Sequence, residues 1–99
     1  MAATQRNMKI HLAAAVVVLA AAVCFGLSPA ETAVIVLAVA LVMVAETLNS
    51  AIEKAVDMIT GEYHPLARIA KDAAAGAVLL AAFFSAVIGA LVFLPHIIK

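Results

Sequence analysis

Glu46, Glu53 and Asp57 repeat at intervals of seven and four residues, with Asn49 and Ser50 between them. At about 100° per residue, a helix brings the three carboxylates within about 40° of one another, and the amide and hydroxyl flank them. Left unneutralised, such a stripe is repulsive, because like charges at helical neighbour spacing destabilise each other. A divalent cation removes the conflict. Mg²⁺ takes oxygen ligands, typically one or two carboxylates together with substrate phosphates. Lys71-Asp72 supplies a further cation and a further carboxylate a short distance along the chain.

These residues belong to an island of charge in a chain that is 68% hydrophobic, with a mean hydropathy of +1.21. The stretch from Glu46 to Asp72 holds eight of the twelve formally charged residues: Glu46, Glu53, Lys54, Asp57, Glu62, Arg68, Lys71 and Asp72. Glu46 directly follows the uncharged run from Thr32 to Ala45. That places it at or inside the edge of a bilayer's hydrocarbon, where an ionisable group is expensive and marks a functional site. Bland readings stand beside this one. Glu53 and Asp57 also suit a solvated helix end with Lys54 and Lys71 as counter-ions, and Lys71-Asp72 also suits simple interface anchoring.

The elements that must position these groups are apolar and few. At 99 residues the chain has room for a single unit, and neither an internal repeat nor a flexible linker divides it. The expected architecture is an all-α membrane protein, one domain over 1–99, with spans at about 10–27, 31–59 and 66–94. Ser28-Pro29 separates the first two spans, and Thr60-Gly61 stops the second. Pro65 suits a first helical turn, and the third span is expected to end at Leu94, before Pro95. A span needs ~20 residues to cross ~30 Å of hydrocarbon, so the C-terminal third of the second segment is expected to project to the interface or beyond.

Arg6 and Lys9 ahead of an apolar run imitate a secretory signal, with Leu27-Ser28-Pro29-Ala30 as a mock cleavage region. The run from Leu12 to Leu27 is slightly long for that purpose, and Val23 before Cys24 spoils a lipoprotein-type site. Cys24 is the sole cysteine, so it forms no internal disulfide, and packing is its expected role. His11 is expected to snorkel at the start of span one, and His64-Pro65 to mark a loop. The alanine-rich tract from Ala73 to Ala77 suits close helix approach. Met8, Met43, Met58, Phe83 and Phe84 are expected to face lipid or pack.

Arg6, Lys9, Lys54, Arg68 and Lys71 all flank one side of the spans, with Lys99 as a minor dissenter. The positive-inside rule then puts the N-terminus and the 54–71 loop in the cytoplasm, in a bacterial inner (cytoplasmic) membrane. If span two enters near Thr32, Glu46 lies roughly 8 Å inside the cytoplasmic boundary. Glu53 and Asp57 fall at or just past it, and Gln5 to His11 and Lys71-Asp72 enter from the same side. The polar groups converge on one membrane level, which suits joining a lipid to a water-soluble reactant. The formal net charge of zero carries no nucleic-acid footprint. No Gly-rich phosphate loop, Walker lysine signature, kinase catalytic loop or zinc spacing occurs.

Several of these segments carry a resemblance. Glu46-Thr47-Leu48-Asn49-Ser50-Ala51-Ile52-Glu53, Val56-Asp57, Glu62-Tyr63-His64 and Ala70-Lys71-Asp72 resemble the prokaryotic diacylglycerol kinase family. These are small integral-membrane kinases acting on diacylglycerol or undecaprenol. Arg6-Asn7-Met8-Lys9-Ile10-His11 also looks like the segment opening the family's first span, in particular in its undecaprenol-kinase branch. The resemblance runs from about residue 4 to residue 94. It implies a homotrimer with shared active sites, a membrane lipid substrate, and Mg²⁺-assisted transfer of the γ-phosphate of ATP. By resemblance, Glu46 is the catalytic base, with Asn49 and Asp72 in the catalytic set. Glu53 and Gln5 are expected at the metal, and Lys71, Asp57 and Arg6 at the nucleotide.

Two departures qualify the carry-over. Gln5 stands where the family often has a metal-binding Glu, and an amide oxygen brings no charge. The family usually also has an amphipathic helix ahead of that position, whereas Met1 to Thr4 precede Gln5 here. A naturally short member, a truncated chain and a mis-assigned start all remain open. Two rival functions follow: a catalytically impaired member serving as an assembly subunit, and a small proton- or ion-coupled carrier using Glu46.

Overall fold

The computed structural model describes the backbone of residues 2–98 and the side chains of residues 8–98; the calls on Gln5 and Arg6 as site side chains therefore lie outside the described residues. Three helices account for nearly all of it: α1 (Ala2–Cys24), α2 (Pro29–Ile59) and α3 (Pro65–Ile98). α2 is the middle element, packed along most of α3 and more sparsely against α1. The arrangement is elongated, 54 × 22 × 18 Å. α2 and α3 are long and apolar enough to cross a membrane, while the apolar part of α1, Met8–Cys24, is shorter. At 1.5 Å per residue the 31 residues of α2 extend about 46 Å, well beyond ~30 Å of hydrocarbon.

Alanine makes most of the interior. Among the described residues the buried positions are Ala22, Ile35, Ala38, Ala74 and Ala81, and none is polar. Small side chains let helix backbones approach closely, the usual basis of packing where lipid removes the hydrophobic drive. Larger apolar side chains point outwards, including Leu37, Leu79, Leu80, Phe83, Phe84 and Leu91. This inversion of the soluble pattern suits a lipid solvent. Cys24 is also exposed, so the expected packing role is replaced by a place on the outer surface of α1.

Local chemistry sets the helix ends. α1 stops at Cys24, three residues before the expected Leu27, because Gly26 adopts φ +67. Leu27 N–H then donates to Ala22 O at 3.0 Å and Gly26 N–H to Val23 O at 3.1 Å, a Schellman closure that favours glycine. α2 starts with Ser28 as N-cap and Pro29 in the first turn. Glu31 N–H donates to Ser28 Oγ (3.1 Å) and Ser28 N–H to Glu31 Oε1 (2.9 Å), a capping box. Thr60 closes α2 through its N–H to Val56 O at 2.9 Å. His64 Nδ1 accepts from Leu66 N–H at 3.1 Å, which caps α3.

α3 does not end at Leu94. It continues through Pro95 to Ile98. Proline removes one backbone donor, and within the final turn that loss affects little of the helix. The added turn carries His96 to Glu31, with Nε2 3.2 Å from Oε1 and 3.1 Å from Oε2. Phe25 and Phe93 meet edge-to-face alongside, with centroids 5.6 Å apart. Midway along the bundle, Ser85 Oγ donates to Ala38 O at 2.9 Å, tying α3 to α2.

The Glu31 clasp has a measurable consequence. Glu31 precedes the apolar run that starts at Thr32. The Ser28 backbone N–H, and next His96, hold its carboxyl below the ordinary value of 4.5. A depressed acid stabilises the fold above its unfolded value, and that contribution disappears as pH falls through the folded one. Thermal stability in detergent is expected to fall as pH is lowered past 4.5. Glu31→Gln should flatten that dependence, and an unchanged pH slope in the variant would remove Glu31 as its source.

Candidate active site

The acid stripe stands on the half of α2 that leads into the α2–α3 loop. Glu46 and Asn49 are partly buried, and Glu53 and Asp57 are exposed. Asn49 Nδ2 donates to Glu53 Oε1 at 3.4 Å, one turn further on. The other end of that amide is unusual: Asn49 Oδ1 is buried and, among the described residues, has no hydrogen-bond partner. A buried acceptor without a donor is a liability unless a ligand completes it. Its neighbour along the stripe is the Glu53 carboxylate.

Across from Asp57 stands Lys71, ahead of the apolar part of α3. Lys71 Nζ donates to Asp57 Oδ1 at 2.6 Å, joining α2 to α3 just beyond the apolar segments. The Asp57 carboxylate raises the Lys71 ammonium above its ordinary 10.5; partial desolvation opposes this, and the charges of Asp57 and Glu53 add to the rise. Lys71 therefore keeps its positive charge throughout the neutral range. Asp72 does not join the α2 stripe. It faces along its own helix, where Arg68 Nε lies 3.7 Å from its Oδ2, and both side chains are well exposed.

Asp57, Lys71, Arg68 and Asp72 nevertheless line one cavity of about 240 Å³ with Thr60 and His64. The residues from separate helices are thus gathered at one end of the bundle in two steps. Glu46, Asn49 and Glu53 run along α2, and Asp57 hands over to Lys71 and Asp72 on α3.

α1 enters through His11, whose Nε2 lies 3.8 Å from Glu46 Oε2. The expectation that His11 merely snorkels missed this approach. Mirror counting about the α1–α2 turn pairs residue 11 with residue 42, about one helical turn from Glu46, so the sequence alone did not place His11 beside it.

Among the described residues, no three His, Cys, Asp or Glu side chains converge as a ready-made metal site. Mg²⁺ does not need one, since it commonly uses one or two carboxylates and takes its other oxygens from phosphates and water. The Glu53 carboxylate and the orphaned Asn49 oxygen are the right donor type for it. The site fits a phosphate-bound cation better than a fully caged one.

A family model described as prokaryotic diacylglycerol kinase matches residues 1–93. The chain belongs to that family. It is 47% identical over 98 residues to the diacylglycerol kinase of Synechocystis sp., covering 98% of this chain and 56% of that protein. It is 48% identical over 96 residues to the undecaprenol kinase of Bacillus subtilis, covering 97% of this chain and 78% of that one. A shorter stretch of 43 residues is 58% identical to the diacylglycerol kinase of Escherichia coli strain K12, covering 43% of this chain and 35% of that protein. The prokaryotic diacylglycerol kinase match takes in all three helices almost entirely, and with them the acid stripe and the Asp57–Lys71 pair.

Proposed function

We propose that this chain is a lipid kinase that transfers the γ-phosphate of ATP to the hydroxyl of a membrane alcohol, with Mg²⁺, at the cytoplasmic face of a bacterial inner membrane. One observation carries the reading: α2 and α3 bring carboxylates, an unsatisfied amide oxygen and a held lysine together at one end of an apolar bundle. Family membership adds the reaction class.

In this reading Glu46 accepts the proton of the lipid hydroxyl as its oxygen attacks the γ-phosphorus. The bond to the β–γ bridging oxygen breaks, and ADP leaves. Phosphoryl transfer demands mainly positioning and charge neutralisation. Lys71, steadied by Asp57, supplies positive charge to the phosphates, and Arg6 adds to the nucleotide contacts. Asp72 completes the acidic rim of the loop cavity. Glu53, the Asn49 oxygen and Gln5 would hold Mg²⁺, which when bound neutralises charge on the phosphate oxygens.

Three transmembrane spans and a homotrimer with sites shared between neighbours belong to the same proposal. The broad apolar outer surface supports it, since that surface must meet lipid or other copies of the chain. Undecaprenol is favoured as the acceptor over diacylglycerol by the segment from Arg6 to His11.

The direct test supplies γ-labelled ATP and Mg²⁺ to the purified chain in mixed micelles, with undecaprenol and diacylglycerol in separate arms. Label is expected in the lipid fraction, more strongly with undecaprenol. Labelling no greater than in protein-free micelles in both arms would end the kinase reading. A further variant addresses the amide at residue 5. Gln5→Glu is expected to reduce the Mg²⁺ concentration needed for half-maximal rate, and an unchanged titration would take residue 5 out of the metal site.

A further inference from the structure

A base that removes a proton at every turnover must also release it, and Glu46 is poorly placed to release it directly to water. Its side chain is 18% exposed, against 61% for Asp57 and 73% for Asp72. Among the described residues, the group of complementary chemistry within ion-pair reach is His11, on a different helix and itself 29% exposed. His11 is thus the less covered member of the pair. Imidazole is the side chain best suited to exchanging protons near neutral pH. The 3.8 Å separation is about 1 Å longer than a hydrogen bond, a gap closed by a rotamer change.

Among the described residues, His11 has no competing titratable partner. α2 presents Glu46 to it. α3 contributes Ser85, Ala86 and Gly89 to the apolar groove of about 370 Å³ that His11 also lines, and none of these titrates. On its own helix Lys9 is exposed. The groove runs from His11 to Phe93 and is lined mainly by apolar side chains.

We propose that His11 is the proton outlet and positioning residue for Glu46. The proposal rests on the reading of Glu46 as the base. The lipid hydroxyl proton first passes to the Glu46 carboxylate, giving a carboxylic acid. Glu46 then passes it to Nε2 of neutral His11, regenerating the carboxylate and forming an imidazolium. The imidazolium releases its other ring proton, on Nδ1, to water, and tautomer exchange resets the ring. No oxidant or further reactant is needed.

The test measures kcat, the KM values for ATP and lipid, and their pH dependence in mixed micelles, for the full chain and for His11→Ala, His11→Gln and Glu46→Gln. His11→Ala is expected to lower kcat about tenfold or more with little change in either KM. It should also shift the acid-side fall of kcat, leaving only the part that depends on the Glu46 carboxylate, and added imidazole should restore part of the rate. His11→Gln keeps similar bulk without an exchangeable ring proton, and serves alone if His11→Ala does not fold. It is expected to lose rate and to shift the acid-side limb in the same way.

Wild-type kcat in both variants would overturn the proposal. So would a loss that leaves the pH profile unchanged and ignores imidazole, because that pattern belongs to helix packing. Wild-type turnover in Glu46→Gln instead overturns the base assignment itself, whatever His11 does.

Discussion

Glu46→Gln is expected to reduce phosphorylation of the lipid alcohol by about 10²-fold or more, the usual scale for loss of a general base. The substitution keeps shape and hydrogen-bonding capacity and removes the ability to hold a transferred proton. Glu46 is partly buried and, among the described residues, forms no interhelical hydrogen bond, so the amide should leave the helix and its packing intact. The effect should therefore fall on kcat, with KM for ATP nearly unchanged and thermal unfolding in detergent close to that of the parent chain. A folded variant that retains most of its turnover would show that another group takes the proton. If kcat holds and KM for the lipid rises, Glu46 instead contributes to acceptor binding.

Glu53→Gln is expected to act differently. Its carboxylate accepts from Asn49 and adds to the negative field around Lys71. Removing the charge weakens any oxygen site for Mg²⁺, which depends on ligand charge as well as geometry. The expected result is a large rise in the Mg²⁺ concentration required, with rate partly recovered at saturating metal. Turnover at wild-type Mg²⁺ dependence would remove Glu53 from the metal site. Comparing the two variants separates proton removal from phosphate neutralisation, because excess Mg²⁺ should help Glu53→Gln and do nothing for Glu46→Gln.

Much of this site was legible in the sequence, because a helix converts spacing directly into a face. The positions 46, 49, 53 and 57 required only the helical period. The break between α2 and α3 followed from Thr60-Gly61 and Pro65, whose backbone preferences are strong. Less legible was whatever depends on how two helices are set against each other. The pairing of Asp57 with Lys71, Ala38 with Ser85, and Glu31 with His96 follows one antiparallel register along α2 and α3. Alanine-rich apolar faces do not encode that register strongly, since many offsets bury similar area.

Pro95 misled for a related reason. Proline's dislike of helix interiors says nothing against a final turn, and the turn it permits is the one bearing His96. Gly26 was the opposite case, a local signal that outranked the longer apolar pattern around it. Asp72 shows the limit of a motif: adjacent to Lys71 in sequence, it pairs with Arg68 and not with the α2 stripe, although it lines the common cavity.

The uninterrupted course of α2, from the Ser28 cap to Thr60, makes it a stiff rod. The clasp at Glu31 and the stripe at Glu46 to Asp57 are fixed to that rod at a set separation. When a surrounding bilayer thins or thickens, neither end adjusts alone: on the proposed reading of Glu46, the depth at which it meets a lipid head is mechanically linked to how His96 and Glu31 sit at the other end of the bundle.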